Sequence, residues 1–143
     1  TLFFDTYSVR EGETPEIIAH KLYGDSELHW VVMLVNDVID RYHDWPMSTP
    51  QFNSYINQKY VDSDGDPNPS GVHHYEIAQT SGDTSITIEV PSNTGANVGA
   101  SIVTNYEYEQ RLQDKKRQIR LLDPRYIPSV VEEYKILMNE SSI

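Results

Sequence analysis

The 143-residue sequence predicts an α+β fold: a βαα unit, a following helix, a β-hairpin region and a C-terminal helix-strand-helix segment. Two observations carry that expectation. Some segments repeat apolar residues at helical spacing while others alternate them with period two. The elements also run β-α-α-α, hairpin, α-β-α, without the regular alternation that builds a parallel sheet.

Residues 1–6 read as an N-terminal arm, because Leu2, Phe3 and Phe4 are too apolar to stand in water without a partner. Tyr7 and Val9 alternate as strand residues sharing a face. Gly12 permits a tight turn, since it carries no Cβ penalty at positive φ. Thr14 offers a hydroxyl to cap the next helix, and Pro15 suits its first position. Ile17, Ile18 and Leu22 supply the apolar stripe around Ala19, and Tyr23 with Gly24 closes the helix. A second helix is predicted from about Asp25 to Asn36, with Leu28, Val31, Val32 and Val35 along one side. Thr49 and Pro50 open a third, in which Phe52, Tyr55, Ile56 and Tyr60 recur through Val61. These elements define a domain over 7–61.

Residues 62–103 form a loop and β-hairpin region. The stretch from Asp62 to Gly71 is full of turn formers. Tyr75 and Ile77 alternate in one strand and Ile86, Ile88 and Val90 in the next, around a turn at Thr80, Ser81, Gly82 and Asp83. Pro91 to Gly99 reads as a further loop. The last region, 104–143, is a helical docking region. Thr104 and Glu107 have capping-box spacing for a helix to about Lys116. Residues Gln118 to Leu122 read as a short strand, Asp123 and Pro124 break it, and Pro128 opens a final helix. That helix carries Val130, Val131, Tyr134, Leu137 and Met138 as a stripe needing cover, either within the chain or on another one.

Several kinds of chemistry are excluded. A net charge of −11 argues against general binding to nucleic acid or an anionic membrane. No apolar run approaches the roughly 20 residues needed to span a bilayer, and the first residues lack the basic lead of a signal peptide. With no cysteine there is neither a disulfide nor a thiolate zinc site. The aspartates at 62, 64 and 66 suggest an EF-hand, but Pro67 stands where Gly is needed and His73 where Glu is needed. His20, His29 and His43 show no paired helical spacing, and His73 and His74, adjacent on a strand, should point to opposite faces. No spacing announces a carboxylate pair for glycoside hydrolysis, and there is no phosphate loop or nucleophile elbow. The reading is a non-enzymatic protein with no cofactor and no metal.

The charge is uneven, with six of the eleven basic residues, Arg111, Lys115, Lys116, Arg117, Arg120 and Arg125, lying between 111 and 125. Such asymmetry suits pairing of the two halves or of neighbouring subunits.

The motif of Tyr7, Val9, Gly12, Thr14, Ile18, Ala19, Tyr23 and Gly24 resembles the LysM module. Its continuation through Trp30 and Asn36 to Trp45 and Pro46 resembles the version found in the gene-product-53 family of baseplate wedge proteins from contractile-tailed phages. Arg117 and Arg120 fit the same family. Glycan-binding LysM units end in a second strand of the form Gly-x-x-Leu-x-Ile-Pro, and here only Asp44, Trp45, Pro46, Met47 and Ser48 follow. The resemblance therefore implies a structural subunit of a virion's tail baseplate, assembled in the host cytoplasm, that helps join neighbouring wedges around the hub. Implied partners are other wedge subunits (the wedge core bundle and the sheath-initiating wedge protein), neighbouring wedge copies and the tail hub. Phe3, Phe4, Arg117, Arg120, Arg125, Tyr134, Leu137 and Met138 are the candidate interface residues. Trp30 and Trp45 are expected to be mainly buried, one at the second helix and one at the turn that closes the unit. The alternative is a LysM-type module binding peptidoglycan.

Overall fold

The computed structural model describes residues 3–141 of the chain. It has the expected α+β character, with six helices and five strands among the described residues. Leu2, assigned to the arm, lies outside the described residues. Two compact units emerge, one made from the chain up to Ser48 and again from Lys116 onward, the other from Thr49–Lys115. The expected boundaries at 61 and 104 follow the chain in order. The observed division does not, because the first unit is closed by a strand from the far end of the sequence.

In the first unit, strand β1 (Phe4–Ser8) pairs antiparallel with β5 (Gln118–Leu122), with Tyr7 opposite Ile119 and Phe4 opposite Leu122. The residues read as an arm thus begin a paired strand at Phe4. Helix α1 (Pro15–Tyr23) starts where the Thr14 hydroxyl accepts a hydrogen bond from the Ile17 N–H at 3.2 Å. It ends at Gly24, whose φ of 72° lets its N–H turn back to the His20 carbonyl. Asp25 caps a single 3-10 turn that leads into α2 (His29–Val35). A four-residue helix α3 (Arg41–Asp44), capped by Asp40, was not expected and delivers Trp45 to the core.

A two-stranded ribbon is marginal in water unless something packs against it. Here Val9, Ile18, Ala19, Val32, Trp45, Ile119 and Leu121 form one buried cluster, flanked by Tyr7, Tyr23, Leu28 and Val38. The last helix, α6 (Ile127–Ser141), follows a 3-10 turn capped by Asp123.

The second unit contains α4 (Thr49–Lys59), β2 (Val72–Ala78), β3 (Thr87–Val90), β4 (Ser101–Thr104) and most of α5 (Asn105–Arg117). The strands form an antiparallel sheet in the order β3-β2-β4. The hairpin of β2 and β3 matches the expected alternation, with Tyr75 opposite Val90 and Ile77 opposite Ile88. Strand β4 is an addition. It is only four residues long, directly precedes the α5 cap at Thr104, and its pairing with β2 supplies the order that its own pattern does not announce. Phe52, Ile56 and Val103 are the buried apolar residues of this unit.

Candidate interaction surfaces

Most of the LysM-type motif is occupied in holding the first unit together. Val9, Ile18 and Ala19 are core residues, and Gly12 turns the chain at a φ of 76°. The Tyr23 hydroxyl donates to the Leu122 carbonyl at 2.8 Å, tying α1 to β5. Trp45 is 7% exposed and donates its indole N–H to the Glu13 carbonyl at 2.9 Å, with Pro46 buried beside it in sequence. Trp30 is less buried than Trp45. It sits at the first turn of α2, half-buried, with its ring 4.5 Å from that of Tyr134 on α6.

The strongest constellation in this unit, which the sequence had not singled out, is the Glu13 carboxylate. It is buried and accepts from the Tyr7 hydroxyl at 2.6 Å, the Arg10 N–H at 2.8 Å and the Lys21 ammonium at 2.8 Å. Burial pushes the carboxyl up, but the bonds from Lys21, Tyr7 and Arg10 outweigh it and hold the pKa at about 2. Four polar groups thus converge on one turn with no side chain left unsatisfied, an arrangement that fixes its geometry. The only hint in the sequence was an acid next to the helix cap.

Asn36 behaves as a surrogate strand. Its amide donates to the Arg120 carbonyl at 2.8 Å and its oxygen accepts from the Arg120 N–H at 2.9 Å, covering the outer edge of β5. An open groove beside this contact is lined by Thr6, Val35, Asn36, Asp37, Gln118, Ile119 and Arg120, none of them aromatic.

The basic segment finds partners close at hand. Arg111 bridges Glu76 at 2.8 Å and reaches Glu107 one helical turn away. Lys116 donates to the His43 carbonyl, Arg120 to the Val35 carbonyl, and Arg125 pairs with Asp123 at 2.9 Å. The Arg120 guanidinium also lies 4.8 Å from the Phe4 ring centre, and Phe3 stacks on Tyr126 at 4.1 Å. Arg117, the last residue of α5, accepts the Val9 N–H on its carbonyl.

In the second unit the expectation for the paired histidines is corrected. A bulge between Val72 and His74 breaks the strict alternation, so the His73 and His74 Nδ1 atoms meet at 2.8 Å on one side of the sheet. His73 stacks on Tyr108 of α5, and His74 bonds Glu76 at 2.6 Å. His74 and then Arg111 hold the Glu76 carboxyl at about 2. Glu109 is also buried, bonded by Lys59 at 2.6 Å and Tyr60 at 2.7 Å. The aspartate loop is an Asx-type turn in which Asp62 accepts from the Asp64 and Asp66 amides. Among the described residues no helix is long and apolar enough to cross a membrane.

Helix α6 lies at the surface, with Tyr134 beside Trp30. None of its described residues is buried, and Leu137 and Met138 are 55% and 51% exposed, with Tyr134 close behind. The chain thus carries a saturated polar framework and a C-terminal helix that stays partly exposed. The family described as base plate wedge protein 53 matches residues 2–141. The chain belongs to that family.

A relative, baseplate wedge protein gp53 of Enterobacteria phage T4, is 26% identical over 148 aligned residues, which cover 95% of this chain and 74% of the relative. Membership assigns this wedge protein a structural role in the tail baseplate of a virion, in association with other baseplate components.

Proposed function

We propose that this wedge protein helps join neighbouring wedges around the hub, with its C-terminal region docked on other baseplate subunits. The observation that carries the reading is α6, which leaves Tyr134, Leu137 and Met138 44–55% exposed. A stripe of that size on a helix is stable in a particle when a partner covers it. The wedge core bundle, the sheath-initiating wedge protein and the neighbouring copies are the partners that the family resemblance suggests, with assembly in the host cytoplasm. Phe3, Phe4, Arg117, Arg120 and Arg125 belong to the same proposed interface.

In this reading the first unit is a LysM-like scaffold whose closing strand is β5, supplied by residues 118–122 in place of the missing strand after Trp45. The antiparallel pairing of β1 with β5 supports it. Its role is to hold parts in place without catalysis, and glycan binding is not retained. The groove beside Asn36 lacks the aromatic platform on which a sugar ring would stack.

The test is Leu137→Lys with Met138→Lys in the full chain. The variant should fold with its stability changed by no more than about 0.5 kcal/mol, as for exposed positions. It should fail to enter baseplates in an infection complemented by the variant gene. Normal incorporation would overturn the docking role. Titration with chito-oligosaccharides should give no saturable heat, and binding tighter than about 0.1 mM, roughly −5.5 kcal/mol, would restore the glycan reading.

A further inference from the structure

Adjacent residues on a regular strand point to opposite faces, yet His73 and His74 meet, and their meeting fixes where the protons lie. Glu76 is the anchor. Its carboxyl, held at about 2 by His74 and Arg111, is ionised near neutral pH and can only accept. The His74 Nε2 atom, 2.6 Å away, therefore carries a proton. In the neutral ring that leaves a bare lone pair on His74 Nδ1. The His73 Nδ1 atom facing it at 2.8 Å is then the donor.

The rings are aligned for this bond. Their centres are 5.1 Å apart and the two nitrogens 2.8 Å, and the difference is two ring radii of about 1.15 Å each. The nitrogens thus lie on the line between the centres, with an N–H aimed straight at a lone pair. Two ligands of one metal ion would instead aim at a common point to the side. The pair is built around a proton.

We propose that His73 and His74 form a proton-operated latch that holds helix α5 to strand β2 and opens when both rings are charged. The latch is independent of the wedge-joining reading. One added proton leaves it closed. With His73 charged, its Nδ1–H still donates to His74; with His74 charged, the Nδ1 of a neutral His73 accepts. A second proton sets two N–H groups and two like charges head to head across the same 2.8 Å. His74 is mostly buried and tied to Glu76, so His73, at the surface, is the ring that moves. Its departure breaks the stack on Tyr108 of α5, whose ring centre lies 3.8 Å away in a nearly parallel plane.

The neighbours favour that order of events. His74 has the Glu76 carboxylate on it, with Arg111 of α5 on the far side of Glu76, Glu107 engaging Arg111, and Glu89 of β3 opposite Glu76 in the register. On β4 the residue opposite His74 is Val103, which does not titrate. His73 lies between two phenols, Tyr108 and Tyr60, the residue after α4. The carboxylate behind Tyr60, Glu109, is taken by the Tyr60 hydroxyl and by Lys59. A charge on His74 is thus compensated directly, and a charge on His73 is carried next to His74.

The test is two-bond proton–nitrogen NMR on the full chain labelled with nitrogen-15 histidine. At about pH 7.5, His74 should show a protonated Nε2 with a bare Nδ1, and His73 a protonated Nδ1. A proton on His73 Nε2 alone would overturn the latch. On lowering the pH to about 5, the His73 ring protons should lose the upfield displacement caused by the Tyr108 face, in the step that charges the second ring. Displacement that persists with both rings charged would sink the proposal. His73→Phe keeps an aromatic ring on Tyr108 with nothing to titrate, so its Tyr108 signals should stay in place over the same range. Movement equal to that of the wild type would assign the response to another group and overturn it. The Trp30 and Trp45 indole signals should not move; if they follow Tyr108, the event is general acid unfolding and the latch is refuted.

Discussion

Asn36 and Arg120 lie 84 residues apart and exchange two hydrogen bonds, side chain to backbone, at 2.8 and 2.9 Å. Through this pair a helix end acts as the third strand of a two-stranded ribbon, and the outer edge of β5 is closed. Asn36 also donates to Val32 within its own helix at 2.8 Å, which fixes the amide orientation.

Replacing Asn36 with Ala should therefore cost about 1–2 kcal/mol, the worth of three backbone-directed bonds partly recovered by water. Urea unfolding would measure it. Asn36→Asp should cost more, because a carboxylate would face the Arg120 carbonyl. A loss smaller than about 0.3 kcal/mol for both would mean the bonds are compensated elsewhere.

Acid should weaken the fold through Glu13. Its folded pKa of about 2 lies below the ordinary value of 4.5, so its contribution is fully present above about pH 4.5 and is lost as pH falls toward 2. The shift corresponds to about 3 kcal/mol for this buried carboxylate. Glu16, gripped by both nitrogens of Arg41 at 2.6 and 2.7 Å, and Glu76 are held at about 2 and titrate in the same window. Thermal melts of the wild type and of Glu13→Gln from pH 7 to 2.5 should converge as the pH drops. Parallel curves would show that Glu13 is not the group being lost.

The two tryptophans should separate cleanly. Trp45→Ala removes a core ring and its bond to the Glu13 carbonyl, and should cost about 3–5 kcal/mol. Trp30→Ala opens a half-buried site against Tyr134 and should cost about 1–2 kcal/mol. Chemical denaturation of both variants compares them directly. Equal losses would place Trp30 in the core after all.

Ending the chain after Arg117 should unfold the first unit, because β1 would lose its partner and Ile119, Leu121 and Leu122 would leave the core. Far- and near-ultraviolet circular dichroism would show the loss. A well-folded truncated protein would mean that β1 and the two helices suffice alone.

Local signals reached far along this chain. The cap at Thr14, the positive-φ turns at Gly12 and Gly24, the cap at Thr104 and the period-two run at Gln118–Leu122 are all properties of a few adjacent residues, and they appear where propensity and alternation put them. The family resemblance rested on the same short stretches. What was missed depended on distance. Asp44, Trp45 and Pro46 carry no closing strand of the Gly-x-x-Leu-x-Ile-Pro form, and nothing near them says that residues 118–122 pair with β1. The bulge that brings His73 and His74 together comes from pairing with β4, a strand with too few residues to declare itself.

The sequence by itself determined the α+β class, the position of nearly every helix and the charge that argues against nucleic acid as a partner, since these follow from local backbone preference, periodicity and composition. Tertiary structure alone decided that β1 pairs with β5, that Glu13 collects three donors, that Trp30 meets Tyr134 and that a bulge sets His73 against His74. Each of those depends on which segments meet in space, and many pairings satisfy one hydrophobic pattern until packing selects among them.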